Sequence, residues 1–82
     1  MDNKVAATPV ERMAELGHRL TPRQLELALL IAHGLTNDEI ARRMQIDKQT
    51  VDTHRTRVMD ALGLRNNVEL CRYMIRLGFV EP

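Results

Sequence analysis

The sequence predicts an all-α fold, in which four helices form one domain and a short additional helix precedes them. Two observations carry this prediction. Residues that favour helix N-caps recur along the chain, usually with an acid or amide three residues later, as in a capping box. All 4 glycines lie where a helical pattern of apolar residues stops, and no stretch is convincing as a strand.

The chain is predicted to divide into residues 1–19, an N-terminal arm with a short helix, and residues 20–82, the helical domain. Residues 1–7 show no periodicity. Thr8 and Pro9 are typical of a helix start, and Gly17 ends this first helix. A chain of 82 residues buries modest apolar surface, so a dimer or another partner would help to stabilise it.

The next helix is predicted to form the centre of the core. Thr21 is its N-cap, Pro22 occupies the first turn, and Gln24 can bond back to the cap. Apolar residues nearly encircle this helix before Gly34 ends it, which is the pattern of a helix buried on most sides.

Two further helices and a tight turn follow. Thr36, with Glu39 at the box position, starts the first of them, and Asp47 caps the second only three residues after Met44. The second helix, about residues 48–62, ends at Gly63. This is the plan of a helix-turn-helix, whose second helix enters the major groove of DNA.

The last helix is predicted to begin at Asn66, with Glu69 at the box position, and to end at Gly78. Its apolar residues cover more of its circumference than packing on one core requires. The excess can face a second subunit. Alternatively, Phe79, Val80 and the N-terminal helix cover it within one chain.

Composition argues against several classes of protein. The single cysteine, Cys71, excludes an internal disulfide and a multi-cysteine zinc site, and it fits a reducing cytosol, so we expect a cytoplasmic protein. No run is long and apolar enough to cross a membrane, and no signal-peptide core is visible. One Tyr and one Phe are too few for the stacking platforms of single-strand binders.

The formal net charge is only +1, which is low for a DNA-binding protein. Residues 20–82 contain 9 basic and 8 acidic side chains, and the charges of residues 1–19 cancel. Any affinity for nucleic acid must therefore come from the local placement of charges.

Residues 20–70 resemble the LuxR-type (FixJ/GerE-type) DNA-binding domain of bacterial response regulators and quorum-sensing activators. Motifs that rarely occur together by chance carry the resemblance: Gly34-Leu35-Thr36-Asn37, Glu39-Ile40-Ala41, and Thr50-Val51 followed by His54. Region 4 of sigma factors shares part of the pattern. The resemblance implies a bacterial transcription regulator that binds double-stranded DNA.

Side chains opposite the predicted buried stripe of Val51, Val58 and Leu62 are expected to meet DNA. The predicted DNA-binding residues are Thr36, Asn37, Lys48, Gln49, Thr50, Asp52, Thr53, Arg55, Thr56 and Arg57. Gln49 suits adenine, and the threonines suit a thymine methyl group or a phosphate. The cations suit phosphate or guanine. Alternatively, Arg55 and Arg57 only solvate an exposed face, but the motif favours contact with DNA. Free N–H groups at the helix starts near Thr36, Asn37 and Thr50 suit phosphate.

Three positions depart from the family pattern. Asp52 stands where many members have Lys; it would repel phosphate but can accept a hydrogen bond from cytosine N4. Asp60 is a further acid where members are often basic. Gln45 stands where Gly is common, and positive φ there would cost about 1 kcal/mol. The near-neutral charge, Asp52 and Asp60 favour an alternative function. In it the chain is a protein-interaction module that binds another regulator or RNA polymerase and binds DNA weakly or not at all.

The resemblance also implies a homodimer that pairs through the last helix, with a predicted interface of Val68, Cys71, Arg72 and Ile75. The half-sites would then lie about one helical turn of DNA apart. Contact with RNA polymerase is implied too, although repression is equally compatible with the residues. Because the chain starts with Met1 and shows no tag, a free-standing short regulator is expected rather than a fragment.

An enzymatic function is not expected. His18, His33 and His54 lie on different predicted elements, so they form no ligand pair, and His54 is better explained as structural or phosphate-contacting. Cys71 lies on an apolar helix and suits a core or an interface. No glycine-rich phosphate loop occurs. The sequence predicts no catalytic residue, cofactor, metal or small-molecule ligand.

Overall fold

The computed structural model describes residues 16–81, and this part of the chain contains four helices and no strand. Helix α1 spans Pro22–Ala32, α2 spans Asn37–Met44, α3 spans Lys48–Leu62, and α4 spans Asn67–Arg76. The predicted all-α architecture is confirmed. The predicted helix that begins at Thr8 lies outside the described residues, apart from Leu16 and Gly17, which are helical.

The capping boxes predicted at the starts of α1 and α2 form in the structure. At the start of α1 the Thr21 hydroxyl accepts from the Gln24 N–H at 3.1 Å, and the Gln24 side chain accepts from the Thr21 N–H at 3.0 Å. Thr36 and Glu39 form the same pair at the start of α2, at 3.2 and 2.8 Å. These reciprocal bonds satisfy helix N–H groups that have no partner within the helix.

The starts of α3 and α4 are capped from one side only. Asp47 Oδ1 accepts from the Thr50 N–H at 2.7 Å, and Asn66 Oδ1 accepts from the Glu69 N–H at 2.9 Å. The Glu69 carboxylate accepts from the N–H of Arg65, one residue before the cap, at 2.8 Å. Glu69 therefore stabilises the α3–α4 connection rather than closing a full box at Asn66.

The turn between α2 and α3 closes at Gln45, which adopts the left-handed conformation with φ 59° and ψ 46°. The Ile46 N–H donates to the Ala41 carbonyl at 3.0 Å, and the Gln45 N–H donates to the Arg42 carbonyl at 3.3 Å. This pair of bonds is a Schellman motif, which ends a helix sharply. The guanidinium of Arg23, on α1, also donates to the Met44 carbonyl at 3.0 Å and ties the turn to the central helix.

The core lies where α1 packs against α3 and α4, while α2 packs mainly against α3. Leu27 and Ala28 on α1 are completely buried, as predicted for the central helix. Leu16 and Leu20, on either side of the predicted boundary between the arm and the domain, are buried in the same core. The arm therefore contributes at least one residue to the folded unit. Among the described residues, no helix is long and apolar enough to cross a membrane.

Candidate nucleic-acid interface

Helix α3 buries one side and exposes the other. Val51 and Val58 are fully buried and Leu62 is nearly so, as predicted, and Met59 joins them as a buried residue that the periodicity did not indicate. On the remaining surface, seven polar side chains are exposed, and we call them the α3 face: Lys48, Gln49, Asp52, Thr53, Thr56, Arg57 and Asp60. Buried apolar contacts fix this face in place without using any of its polar groups.

The sequence predicted N–H groups available to phosphate at the helix starts near Thr36, Asn37 and Thr50. The N–H groups of Thr36 and Thr50 themselves have partners within the protein. The Thr36 N–H donates to the Glu39 carboxylate, and the Thr50 N–H donates to the Asp47 carboxylate. An acidic side chain at the same helix start accepts each of these hydrogen bonds, so neither N–H is available to a phosphate. The groups of Thr36 and Thr50 that can reach a phosphate are therefore their hydroxyls.

The two capping carboxylates are held in the charged form. The hydrogen bond from the Thr36 backbone lowers the pKa of Glu39, and the hydrogen bond from the Thr50 backbone lowers the pKa of Asp47. A carboxylate that accepts N–H bonds at a helix start is favoured over its protonated form. The starts of α2 and α3 thus carry negative charge at neutral pH.

Three residues join α2 to α3 through a network that we call the polar cluster: Asn37, Asp52 and Arg55. One terminal N–H group of the Arg55 guanidinium donates to Asp52 Oδ1. The other terminal nitrogen donates to Asn37 Oδ1 at 3.2 Å. The Asn37 amide also approaches Asp52 Oδ1 at 3.5 Å. The Arg55 side chain is only 28% exposed, so the cluster lies at the edge of the α3 face.

The cations predicted to meet DNA differ in their partners. Lys48 pairs with Asp38 at 3.1 Å, although both side chains stay more than half exposed. Arg55 belongs to the polar cluster. Among residues 16–81, Arg57 forms no ion pair. Arg57 is therefore the predicted cation whose charge no described carboxylate neutralises.

A groove of about 450 Å³ runs from the second half of α3 to the start of α4. Thr56 and Asp60 line its α3 side, and Arg65 and Asn67 line its α4 side. The Arg65 side chain is 87% exposed beside this groove. Sequence reasoning did not select Arg65 or Asn67. Both follow the Gly63 helix stop by a few residues, so the short connection keeps them near the C-terminal end of α3.

His54 lies off the α3 face. Its ring is half-buried, and within the described part of the chain its buried Nδ1 has no hydrogen-bond partner. This placement fits the structural explanation of His54 better than contact with phosphate. No three His, Cys, Asp or Glu side chains of residues 16–81 gather as a metal site.

The four predicted dimer-interface residues differ in exposure. Val68 is 59% exposed, which is unusual for a large apolar side chain in this fold, and Arg72 is exposed beside it. Ile75 and Cys71 are half-buried, and the Cys71 thiol lies 3.9 Å from the Ile31 carbonyl. Phe79 and Val80 are partly buried against the core.

Known proteins resemble this chain over the same region. The family model of bacterial regulatory proteins, luxR family, matches residues 18–74. The response regulatory protein YgeK of Escherichia coli is 41% identical over 61 residues, which are 74% of this chain and 42% of that protein. The oxygen regulatory protein NreC of Staphylococcus aureus is 39% identical over 62 residues, 76% of this chain and 29% of that protein. The chain thus spans less than half of either relative. No solved structure matches it significantly.

Proposed function

The chain belongs to the luxR family of bacterial regulatory proteins, and we propose that it regulates transcription by binding double-stranded DNA through α2 and α3. In this proposal α3 enters the major groove and α2 lies across the backbone. The exposed α3 face carries the proposal. A row of hydrogen-bonding side chains stands opposite fully buried Val51 and Val58, on a helix whose position the core fixes.

Each polar side chain has a proposed role that follows from its place on the helix. Gln49 and Thr53 face the bases, because side chains in the first half of such a helix reach base edges. Thr56 lies one turn further along the same face and contacts a thymine methyl group or a phosphate. Gln49 has the donor and acceptor that adenine requires. Arg57, and Lys48 once it leaves Asp38, bind phosphate. The Thr36 and Thr50 hydroxyls and the Asn37 amide contact the DNA phosphate backbone and fix the position of the domain on it.

We also propose that the protein binds as a homodimer through α4. Exposed Val68 provides an apolar contact that a second copy can cover, and Arg72 lies on the rim. A two-fold dimer would place two α3 helices about one helical turn apart on a partly palindromic site. Such a dimer is compatible with activation through RNA polymerase and with repression.

The acids beside α3 favour a second candidate function, a protein-interaction module that binds little DNA. Asp52 and Asp60 are exposed on the face itself, and Asp38 neutralises Lys48. In this alternative the face binds a basic surface of another regulator or of RNA polymerase.

Fluorescence anisotropy with a labelled random duplex, titrated at several salt concentrations, separates the two functions. A DNA-binding protein gives measurable affinity at low salt, with a log–log slope of about −0.9 per phosphate contacted. Arg57→Ala should weaken binding to every sequence and make the slope shallower by about 0.9. Arg76→Ala, the same change at an exposed position of α4, is the matched control and should leave the slope as it is. Undetectable binding at low salt would favour the protein-interaction module.

A further inference from the structure

We infer that Asp52 raises the sequence specificity of DNA binding by holding Arg55 away from the phosphate backbone. Fewer cations of this domain then contribute to sequence-independent binding. The inference rests on the proposed function, because it concerns how the α3 face discriminates between duplexes. It gives Asp52 a role within the protein, besides repelling phosphate or accepting a hydrogen bond from cytosine N4.

The geometry of the polar cluster supports this role. Both terminal guanidinium nitrogens of Arg55 have acceptors within the protein, Asp52 Oδ1 and Asn37 Oδ1. To reach a phosphate, Arg55 would have to give up a charge-assisted bond and a second bond to a different helix. Such paired bonds hold a guanidinium in one orientation, because its donors form a rigid fork.

The Arg55–Asp52 pair differs from the Lys48–Asp38 pair in the burial of its cation. The Lys48 and Asp38 side chains are 66% and 60% exposed, and a flexible pair in water contributes little and opens easily. Asp52 is 57% exposed, close to Asp38, but the Arg55 side chain is only 28% exposed and has an additional neutral partner in Asn37. Lys48 can therefore exchange Asp38 for a phosphate, whereas Arg55 stays in the cluster.

The consequence for DNA binding follows from counterion release. Non-specific affinity rises with each phosphate that a cation neutralises, whereas base-edge contacts carry the sequence preference. With Arg55 withheld, the sequence-independent part of the affinity is smaller. Gln49, Thr53 and Thr56 then contribute a larger share of the total, so the ratio of specific to non-specific binding rises.

Asp52→Asn tests the inference directly, because it removes the charge and keeps the size of the side chain. We expect tighter binding to random duplex and a salt slope steeper by about 0.9, which is one additional phosphate contact. A fourfold rise in salt would then cost the variant roughly 3.5-fold more affinity than it costs the wild type. The preference for a selected site over random duplex should fall.

Two further variants isolate the part that Arg55 plays. Asp60→Asn removes an equal charge from the same face, and among the described residues Asp60 pairs with no cation. It should tighten binding without adding a phosphate contact to the slope. In the Asp52→Asn background, Arg55→Gln should return the slope to the wild-type value. Equal slopes for Asp52→Asn and Asp60→Asn, or a steep slope that survives Arg55→Gln, would overturn the inference.

A measurement without DNA keeps this test apart from the proposed function. NMR of the arginine side chains reports rotation of each guanidinium group. Arg55 should rotate more slowly than Arg57 in the wild type, and it should rotate faster in Asp52→Asn than in the wild type. If Arg55 is restrained but no variant binds duplex at low salt, DNA binding is refuted together with the consequence drawn here. If the wild type binds duplex and Arg55 rotates as freely as Arg57, only the withholding role is refuted.

Discussion

At the scale of single residues, Gln45 sets the geometry of the turn that orients α3. The three positive-φ helix ends in residues 16–81 besides this one use Gly34, Gly63 and Gly78. Gln45 adopts φ 59° despite its Cβ, which crowds the backbone in this conformation. Gln45 stands where Gly is common in the family, and the left-handed conformation occurs at this position.

Gln45→Gly should therefore stabilise the protein, by about 1 kcal/mol in the free energy of unfolding. The relief of crowding exceeds the entropy that glycine adds to the unfolded chain. Urea denaturation measures the change. Gln49→Gly, the same substitution in the first turn of α3, is the control and should destabilise by about 0.5 kcal/mol. The account of the turn fails if both variants shift stability in the same direction.

Asp47 makes one contribution to stability depend on pH. The hydrogen bond from the Thr50 backbone lowers the pKa of Asp47 below its ordinary value of 3.8 in the folded state. A lowered pKa means that the stabilisation is complete above the ordinary value and is lost as the pH falls through the folded value.

Asp47→Asn should remove this dependence, because asparagine caps a helix without titrating. Unfolding in urea at a series of pH values from about 6 to 3 should show the wild type losing its advantage over the variant as the pH falls. A constant difference between the two proteins across that range would contradict the charged cap.

At the scale of elements, the sequence predicted the helix starts because their signals are local. A cap and its N–H partner lie three residues apart, so Thr21, Thr36 and Asp47 identify the starts of α1, α2 and α3 by themselves. Contacts between elements lack such a signal. The bond from Arg23 to the Met44 carbonyl joins positions 21 apart and depends on how α1 crosses α2.

Thr36→Ala tests the cap that supports the start of α2. The lost hydroxyl leaves the Glu39 N–H without its acceptor, so we expect the free energy of unfolding to fall by about 1 kcal/mol. Thr36→Ser keeps the hydroxyl and should stay close to the wild type in the same thermal or urea unfolding experiment. A serine variant as unstable as the alanine variant would show that the methyl group, not the cap, stabilises this position.

The candidate site shows the same division between local and long-range information. Exposure of Gln49, Thr53 and Thr56 followed from helical periodicity alone. The capture of Arg55 did not, because Asn37 lies 18 positions earlier on another helix and only the packing of α2 on α3 brings the two together. Residue type and helical periodicity therefore predicted which cations lie near the proposed DNA surface. The folded geometry was needed to show which of these cations are already paired within the protein and which can bind phosphate.

At the scale of the whole molecule, the net charge is near neutral because 12 basic side chains stand against 11 acidic ones, and several of the cations are also paired locally. Ion pairs neutralise Lys48 and Arg55, and Arg65 lies 3.5 Å from Glu69. A domain with this distribution has no large positive field to steer DNA from a distance. Its proposed affinity depends on contacts made after docking, and a second copy would double those contacts.

Val68→Glu tests the proposed dimer. Val68 is exposed in one copy, so the charge should not disturb the fold, but it would be buried in the interface. Sedimentation should shift towards monomer while the helical circular dichroism is preserved. Gln49→Glu adds the same charge to α3 and should leave the sedimentation unchanged. If Val68→Glu sediments like the wild type, α4 does not pair the subunits through this residue.

The central claim, that the α3 face binds DNA, is tested most directly by NMR titration of the labelled protein with duplex DNA at low salt. Backbone amide shifts should change most between residues 48 and 57, with a second group at Thr36 and Asn37. Addition of salt should reverse these changes. Shifts confined to α4, or an unchanged spectrum at saturating duplex, would contradict the claim.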